Sequence, residues 1–324
     1  KMRKKIIGIG NALVDALVKI PNDSLLDELQ LPKGSMQLID TDRYRSLCER
    51  MAGMEVRRAT GGSAGNVMLA LANLGATPAF IGKISDDENG RFFADNCRRR
   101  GISPHLLCDI HPTGVASTFI SPDGQRTFGT YLGAAACLTA DDMRREWFDG
   151  YGYFFIEGYL VQNHDLIECA VDMAHGAGLK VCLDLASYNI VEGDRDFFGY
   201  LLEKTDIVFA NEEEAYSFTG REPQEALGML GNICEVAVVK IGKAGAMACC
   251  AGETAHHPAT DVPCVVDTTA AGDFFAAGFL YGHAAGLPLI DCLYNGSLLA
   301  GEVIQVIGSE LPESAWTSIR KQIR

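Results

Sequence analysis

The sequence predicts an α/β protein with a mostly parallel central sheet, helices on both faces, and a small β layer outside it. Three observations carry this. Short runs rich in β-branched and aromatic residues alternate with amphipathic helical segments nearly throughout. Glycines close several of those helices, and two pairs of strand-like stretches break the alternation. Strands joined by helices of such length require crossover connections, and crossovers place helices on both sheet faces.

Taken in order, Lys5–Ile9 reads as a short buried strand. Leu13–Ile20 and Ser35–Ile39 read as strands around a Pro/Asp-rich connection. Val67, Leu71 and Leu74 give Ser63–Leu74 a helical stripe, stopped by Gly75. Pro78–Ile81 is a strand, and Asn89–Arg100 is an amphipathic helix closed by Gly101. Gly114–Ile120 and Arg126–Tyr131 flank Pro122-Asp123-Gly124, whose turn chemistry predicts a hairpin. Tyr153–Ile156, Lys180–Asp184, Ile207–Ala210 and Val236–Ile241 follow as strands, with helices over His164–Gly178 and Glu212–Thr219. The two irregular pairs, about residues 13–40 and 113–132, predict a β lid over the ligand edge of the sheet. Without an internal repeat or interdomain linker, residues 1–324 read as one domain.

A formal net charge of −14 argues against nucleic acid or an anionic membrane as partner, since either favours Lys/Arg clusters. Phosphate ligands stay open, because backbone amides and Mg²⁺ bind them inside acidic proteins. Eleven scattered cysteines with no CxxC pair predict free thiols rather than disulfides or a zinc module. The N-terminal residues lack a signal-peptide apolar core and no run spans a membrane, so the sequence predicts a soluble cytoplasmic protein, monomer or homodimer.

The most informative segment is Asp267-Thr268-Thr269-Ala270-Ala271-Gly272-Asp273. It joins a β-branched pair to an apolar helix. The small side chains leave the first helical amides uncovered, so amides and helix dipole can hold an anion. Asp273 is then either a helix cap or a base facing a substrate hydroxyl. Upstream, Thr60-Gly61-Gly62-Ser63-Ala64-Gly65-Asn66 reads alone as a strand-to-helix turn capped by Ser63. Its paired glycines also permit close approach of a ligand.

The first of these segments resembles the D-T-x-G-A-G-D signature of the ribokinase-like (PfkB) carbohydrate and nucleoside kinases, and the second, with Gly82–Gly90, resembles that family's other signature. The resemblance spans essentially the whole chain. It implies a three-layer ribokinase-like fold and γ-phosphoryl transfer from ATP to a primary hydroxyl. Asp273 would be the base, the Ala270–Gly272 turn the anion hole, and Gly61, Gly62 and Asn66 the holders of acceptor hydroxyls. Ala270 departs from the family glycine and would be strained if that position needs positive φ. By the same resemblance Asn211 and Glu214 would position Mg²⁺ through water and contact ATP, and a monovalent cation such as K⁺ remains an open requirement. Lys240, Gly242, Gly245 and Thr268 fall on the nucleotide side, with Asn295 facing the adenine. Lys240 stands where a polar residue is usual.

The opening Gly10-Asn11-Ala12-Leu13-Val14-Asp15 resembles that of adenosine kinases, where Asn and Asp contact the nucleoside. Gln37 and Leu38 resemble base-lining lid positions, Ala134 a small residue against the base, and Tyr159 a stacking aromatic. Arg126 would clamp the transferred phosphate as the lid closes. These matches favour adenosine over a sugar or sugar phosphate as acceptor. A non-catalytic nucleoside or sugar sensor on the same fold is the competing class. A dehydrogenase fits poorly, since the first strand lacks a complete glycine fingerprint.

Overall fold

The computed structural model describes residues 5–324. Nine strands form the main sheet: β1 (Lys5–Ile9), β5 (Thr77–Ser85), β6 (Ser103–Asp109), β9 (Tyr153–Glu157), β10 (Lys180–Asp184), β11 (Ile207–Asn211), β12 (Val236–Lys240), β13 (Ala246–Cys250) and β14 (Glu253–His257). Their order is β14-β13-β12-β11-β10-β9-β1-β5-β6. Pairing is parallel from β12 to β6, and β13 and β14 add an antiparallel edge. Five further strands form a second sheet in the order β3-β8-β7-β2-β4: β2 (Leu13–Lys19), β3 (Met36–Leu38), β4 (Arg57–Gly61), β7 (Gly114–Ile120) and β8 (Arg126–Tyr131).

The helices are α1 (Ser24–Glu28), α2 (Thr41–Met51), α3 (Ser63–Asn73), α4 (Glu88–Arg99), α5 (His164–Gly176) and α6 (Tyr188–Gly193). They continue as α7 (Arg195–Leu202), α8 (Glu212–Thr219), α9 (Pro223–Gly231), α10 (Ala271–His283), α11 (Leu289–Val303) and α12 (Glu313–Gln322). The predicted α/β class and the predicted strand-helix alternation are both present.

Strand alternation splits the interior into two cores. Ile6, Phe80, Phe155 and Phe209 point to the face covered by α3, α10 and α11. Their neighbours Ile7, Ile81, Ile156 and Val208 point to the face covered by α5 and α7. Because both faces are buried, these strands are apolar throughout rather than alternating. The lid differs. Along β2, Val14, Ala16 and Val18 are buried while Leu13, Asp15 and Leu17 are half-exposed on the other face. A third core containing Val18, Leu47, Phe119 and Tyr131 lies under the lid helices.

The lid is larger than the sequence predicts. β4 joins it antiparallel to β2, with Ala59 opposite Asp15. Its sequence, Arg-Arg-Ala-Thr-Gly, has too little apolar alternation to announce an edge strand. β6, another edge strand, carries a proline near its start, which argues against a strand in sequence alone. The β13–β14 hairpin turns on Ala251 and Gly252, both at positive φ (50° and 82°), the backbone expected of a tight two-residue turn.

α10 and α11 pack closely because of glycine. A Cβ at Gly278 would sit 2.4 Å from the Asn295 carbonyl oxygen. None of the eleven cysteines is in a disulfide, as expected, and five are buried. No helix among the described residues is long and apolar enough to cross a membrane. Gly278→Ala should force these helices apart and lower unfolding stability by about 1–3 kcal/mol, measurable by urea denaturation.

Candidate active site

A cleft of about 1150 Å³ opens between the lid and the carboxyl end of the parallel strands. Such crevices are where α/β sheets bind ligands. The turn before α10 forms its floor. Asp267 fixes that turn: its carboxylate accepts from the Thr269 amide at 3.1 Å, the Thr269 hydroxyl at 2.6 Å and the Gly308 amide at 2.8 Å. The Ala271 amide donates to the Thr268 carbonyl at 3.1 Å. This leaves the Gly272 and Asp273 amides as the uncommitted donors at the helix start, where they are able to hold an anion. Ala270 has φ −98°, so no left-handed strain attaches to it and the missing glycine costs the turn nothing.

Asp273 enters the cleft from the first turn of α10. Its two carboxylate oxygens accept from the Ser63 hydroxyl at 2.7 Å and the Asn66 amide at 2.9 Å, both on α3. Ser63 therefore does not cap its helix as expected. Gly62 is the N-cap, and the Ser63 hydroxyl is spent on Asp273. Burial pushes the Asp273 carboxyl up to about 8; the two hydrogen bonds pull it down, and the negative charges of Asp184 and Glu157 add to the rise. The Asn66 Oδ1 atom is buried without a partner and is free to accept from a ligand hydroxyl.

The glycine pair has a steric explanation at each position. A Cβ at Gly61 would lie 2.3 Å from the Asp15 carboxylate. Gly62 has φ +85°, and its Cβ would meet the Asn11 carbonyl at 2.2 Å. The pair thus lets β4 and α3 press against the β1–β2 connection, where Asn11 and Asp15 sit. Asn11 is oriented by Glu157, whose buried carboxylate accepts from its side-chain amide at 2.8 Å and from the Ala64 amide of α3 at 3.0 Å. Burial raises the Asp15 carboxyl to about 7 against the opposing pull of Arg126.

Arg126, on lid strand β8, donates to Asp267 at 2.6 Å and so ties the lid to the floor. Its second terminal nitrogen is buried and unpartnered. Leu38 and Met36 line the cleft, but Gln37 does not: strand alternation turns it to the other face of β3, beside Ser35. Tyr159 lines the cleft, while Ala134 is fully buried behind its neighbours Ala135 and Ala136.

At the other end, Asn211 and Glu214 form a reciprocal cap of α8. The Glu214 oxygens accept from the Asn211 amide and side chain at 2.8 Å each, and the Asn211 oxygen accepts from the Glu214 amide at 2.8 Å. Burial raises the Glu214 carboxyl to about 7, partly offset by Lys240. Each carboxylate oxygen keeps a free lone pair, so this pair fits Mg²⁺ held through retained waters. Lys240, half-buried beside them, donates to Asp184 at 3.1 Å. Burial alone would lower its pKa, but Asp184 and Glu214 outweigh that and raise it. Its ammonium lies 3.2 Å from where a Gly272 Cβ would stand, which sets a cation beside the free amides at the start of α10.

Thr268 lines the cleft, whereas Gly242 and Gly245 shape the β12–β13 turn outside it. Asn295 is fully buried, and both ends of its amide are taken by the Arg324 main chain, at 2.9 and 3.2 Å. A helical asparagine at the right register cannot announce that the Arg324 main chain will occupy it. Glu157 and Asp184 escape sequence reasoning because each ends an apolar strand with no motif around it. Ala186, at φ 65° just past Asp184, is a strained residue of the kind that gathers at functional sites.

A three-layer α/β sheet, a second β sheet over its ligand edge, and a carboxylate at a helix N-terminus form a site suited to phosphoryl transfer. The chain belongs to the pfkB family of carbohydrate kinases, whose pattern matches residues 34–316. It is similar to a probable sugar kinase of Rhizobium etli (35% identity, 99% of both chains covered, TM-score 0.87). It is similar also to an adenosine kinase of Sinorhizobium meliloti (35% identity, 98% and 99% covered, TM-score 0.87). A 5-dehydro-2-deoxygluconokinase of Geobacillus kaustophilus is 28% identical over 271 residues, covering 78% of this chain and 80% of that one. The protein is an ATP-dependent carbohydrate or nucleoside kinase.

Ser63→Ala should remove one hydrogen bond to the ionised Asp273. The acid limb of the kcat/KM–pH profile should then move up by roughly one unit, the equivalent of the about 1.5 kcal/mol that a hydrogen bond to a charged group contributes. Stability carries the opposite signature. The native state holds the Asp273 proton between pH 3.8 and about 8, where the unfolded chain has released it, so stability falls as pH rises through that window. Asp273→Asn should flatten that decline in Tm measured from pH 5 to 9.

Proposed function

We propose that this kinase phosphorylates the 5′-hydroxyl of a purine nucleoside, adenosine above all, with Asp273 as base. The observation that carries the acceptor class is the lid wall. Met36 and Leu38, 53% and 65% exposed, face the cleft together with Leu13, Leu17 and Phe128. So broad an apolar wall suits a flat heterocycle and offers little to a small polyhydroxylated sugar. Asp15, between Leu13 and Leu17 on the same face of β2, is suited to accept hydrogen bonds from two vicinal ribose hydroxyls. The 35%-identical adenosine kinase of Sinorhizobium meliloti supports the same reading.

In the proposed reaction the acceptor hydroxyl passes its proton to a carboxylate oxygen of Asp273. The new O–P bond forms in line with the breaking bond between the γ-phosphorus and the β–γ bridging oxygen, and ADP leaves. Ser63 and Asn66 hold Asp273 in place, and the orphaned Asn66 oxygen orients the acceptor. The Gly272 and Asp273 amides, with the α10 dipole, stabilise charge on the transferred group. Mg²⁺, organised by Asn211 and Glu214, would supply charge neutralisation on the phosphates. Arg126, tied to Asp267, keeps the lid down and presents its free nitrogen to the cleft.

That free nitrogen also favours a second reading. A buried, unpartnered guanidinium N–H suits an acidic sugar, and the 28%-identical Geobacillus kaustophilus relative is a 5-dehydro-2-deoxygluconokinase. An ADP-release assay separates the two: adenosine should exceed ribose and 5-dehydro-2-deoxygluconate in kcat/KM by at least about 10²-fold, given the worth of a buried heterocycle. A preference for the sugar acid would overturn the nucleoside reading. Asp273→Asn should lower kcat by about 10²-fold or more with KM nearly unchanged, and near-normal turnover would remove Asp273 from the role.

A further inference from the structure

The 3-10 turn Gly133–Cys137, which follows β8, lines the cleft with Ala135 and Ala136. Cys137 instead joins a separate group. Asp109 ends β6 and His111 lies in the β6–β7 connection. The donor atoms of Asp109, His111 and Cys137 all lie within 4.8 Å of one another. Among the described residues this is the one cluster of three such donors. We propose that Asp109, His111 and Cys137 bind a divalent cation of the zinc class at the base of the lid.

One ligand pair already has the spacing of a tetrahedral site. Cys137 Sγ lies 3.5 Å from His111 Nδ1. Zn–N near 2.0–2.1 Å and Zn–S near 2.3 Å at a tetrahedral angle put those ligands about 3.5 Å apart. His111 Nδ1 and Asp109 Oδ1 are 2.6 Å apart, sharing a proton, and must open by about 0.8 Å to admit an ion. The His111 amide donates to the same Asp109 oxygen at 3.0 Å and orients it. All three ligands sit on connections or strand ends, where such an adjustment is small.

Charge also balances. Asp109 and a Cys137 thiolate neutralise a dication, with His111 neutral. Lys83 does not take the site, because it faces the other Asp109 oxygen at 3.5 Å and is paired with Asp142 at 2.8 Å. Its ammonium also donates to the Cys137 carbonyl at 2.9 Å, which fixes the turn. His111 is exposed and the other two are half-buried, so an ion can enter and keep a water as fourth ligand. Sulfur and imidazole select zinc-like ions over Mg²⁺, so the site is chemically distinct from Asn211 and Glu214. A bound ion would join the connection leading into β7 to the turn leaving β8, pinning both ends of that hairpin.

The test is a Co²⁺ titration of the full chain, reduced and free of Mg²⁺. One equivalent should produce a thiolate-to-cobalt absorption band that Zn²⁺ abolishes. Cys137→Ser should lose the band, and His111→Ala should weaken binding by at least about 10-fold. Absence of the band in the wild type overturns the proposal. So does an unchanged band in Cys137→Ser, which would place the ion on another thiol such as the exposed Cys108 or Cys264. Should the variants not fold, the wild type still decides. Zn²⁺ should protect Cys137, and not Cys108, from iodoacetamide, and equal modification of both in peptide mass spectra overturns the site. None of these readouts depends on which alcohol the kinase phosphorylates.

Discussion

Two helix N-termini meet across the cleft, and Asp273 is the contact between them. It projects from the first turn of α10 and is held by Ser63 and Asn66 from the first turn of α3. That contact makes demands on several neighbours. α3 can reach α10 only if Gly62 lets the chain pass within van der Waals limits of the Asn11 carbonyl. α10 can present Asp273 only if Asp267 locks the turn before it. The Ser63 hydroxyl, spent on Asp273, gives up helix capping, and the Glu157 carboxylate satisfies the neighbouring Ala64 amide instead. Asp273 is therefore fixed by contacts between the two helix starts on either side of the cleft.

The electrostatics follow from that crowding. Asp15, Glu157, Asp184, Glu214 and Asp273 all line one cleft, together with the cations Arg126 and Lys240. Isolated carboxylates would lose too much solvation there, and burial raises the pKa of Asp15, Glu157, Glu214 and Asp273. A carboxylate whose pKa is raised toward neutrality accepts a proton with more driving force than an ordinary one. The stability given up by holding these groups is the usual consequence of building an active site before its ligands arrive.

The lid is a sheet with a core of its own, which explains how it can carry exposed apolar residues on its cleft face. Val14, Ala16 and Val18 anchor β2 from behind, so Leu13, Asp15 and Leu17 are free to face a ligand. Arg126 is both latch and unsatisfied donor, because Asp267 takes only part of its planar fork.

Much of the fold was legible in the sequence, because apolar runs punctuated by glycine report parallel strands and crossover helices directly. The small-residue turns before α3 and α10 were legible too, since they encode uncovered amides and close backbone approach, whereas the grouping of Asn66, Asn211 and Glu214 with Asp273 was implied only by the family resemblance. The edge strands β4 and β6 were not legible, since an edge needs little apolar patterning. Tertiary structure alone turned Gln37 away from the cleft, through the pleat of β3, and closed Asn295 with the Arg324 main chain. It gave Ala270 an ordinary negative φ, so the departure from the family glycine carries no strain. Above all, it brought Glu157 and Asp184 to Asn11 and Lys240, and His111 to Cys137. These partners lie tens to over a hundred residues apart in the chain, so only the packing of the strands and connections that carry them could bring them together.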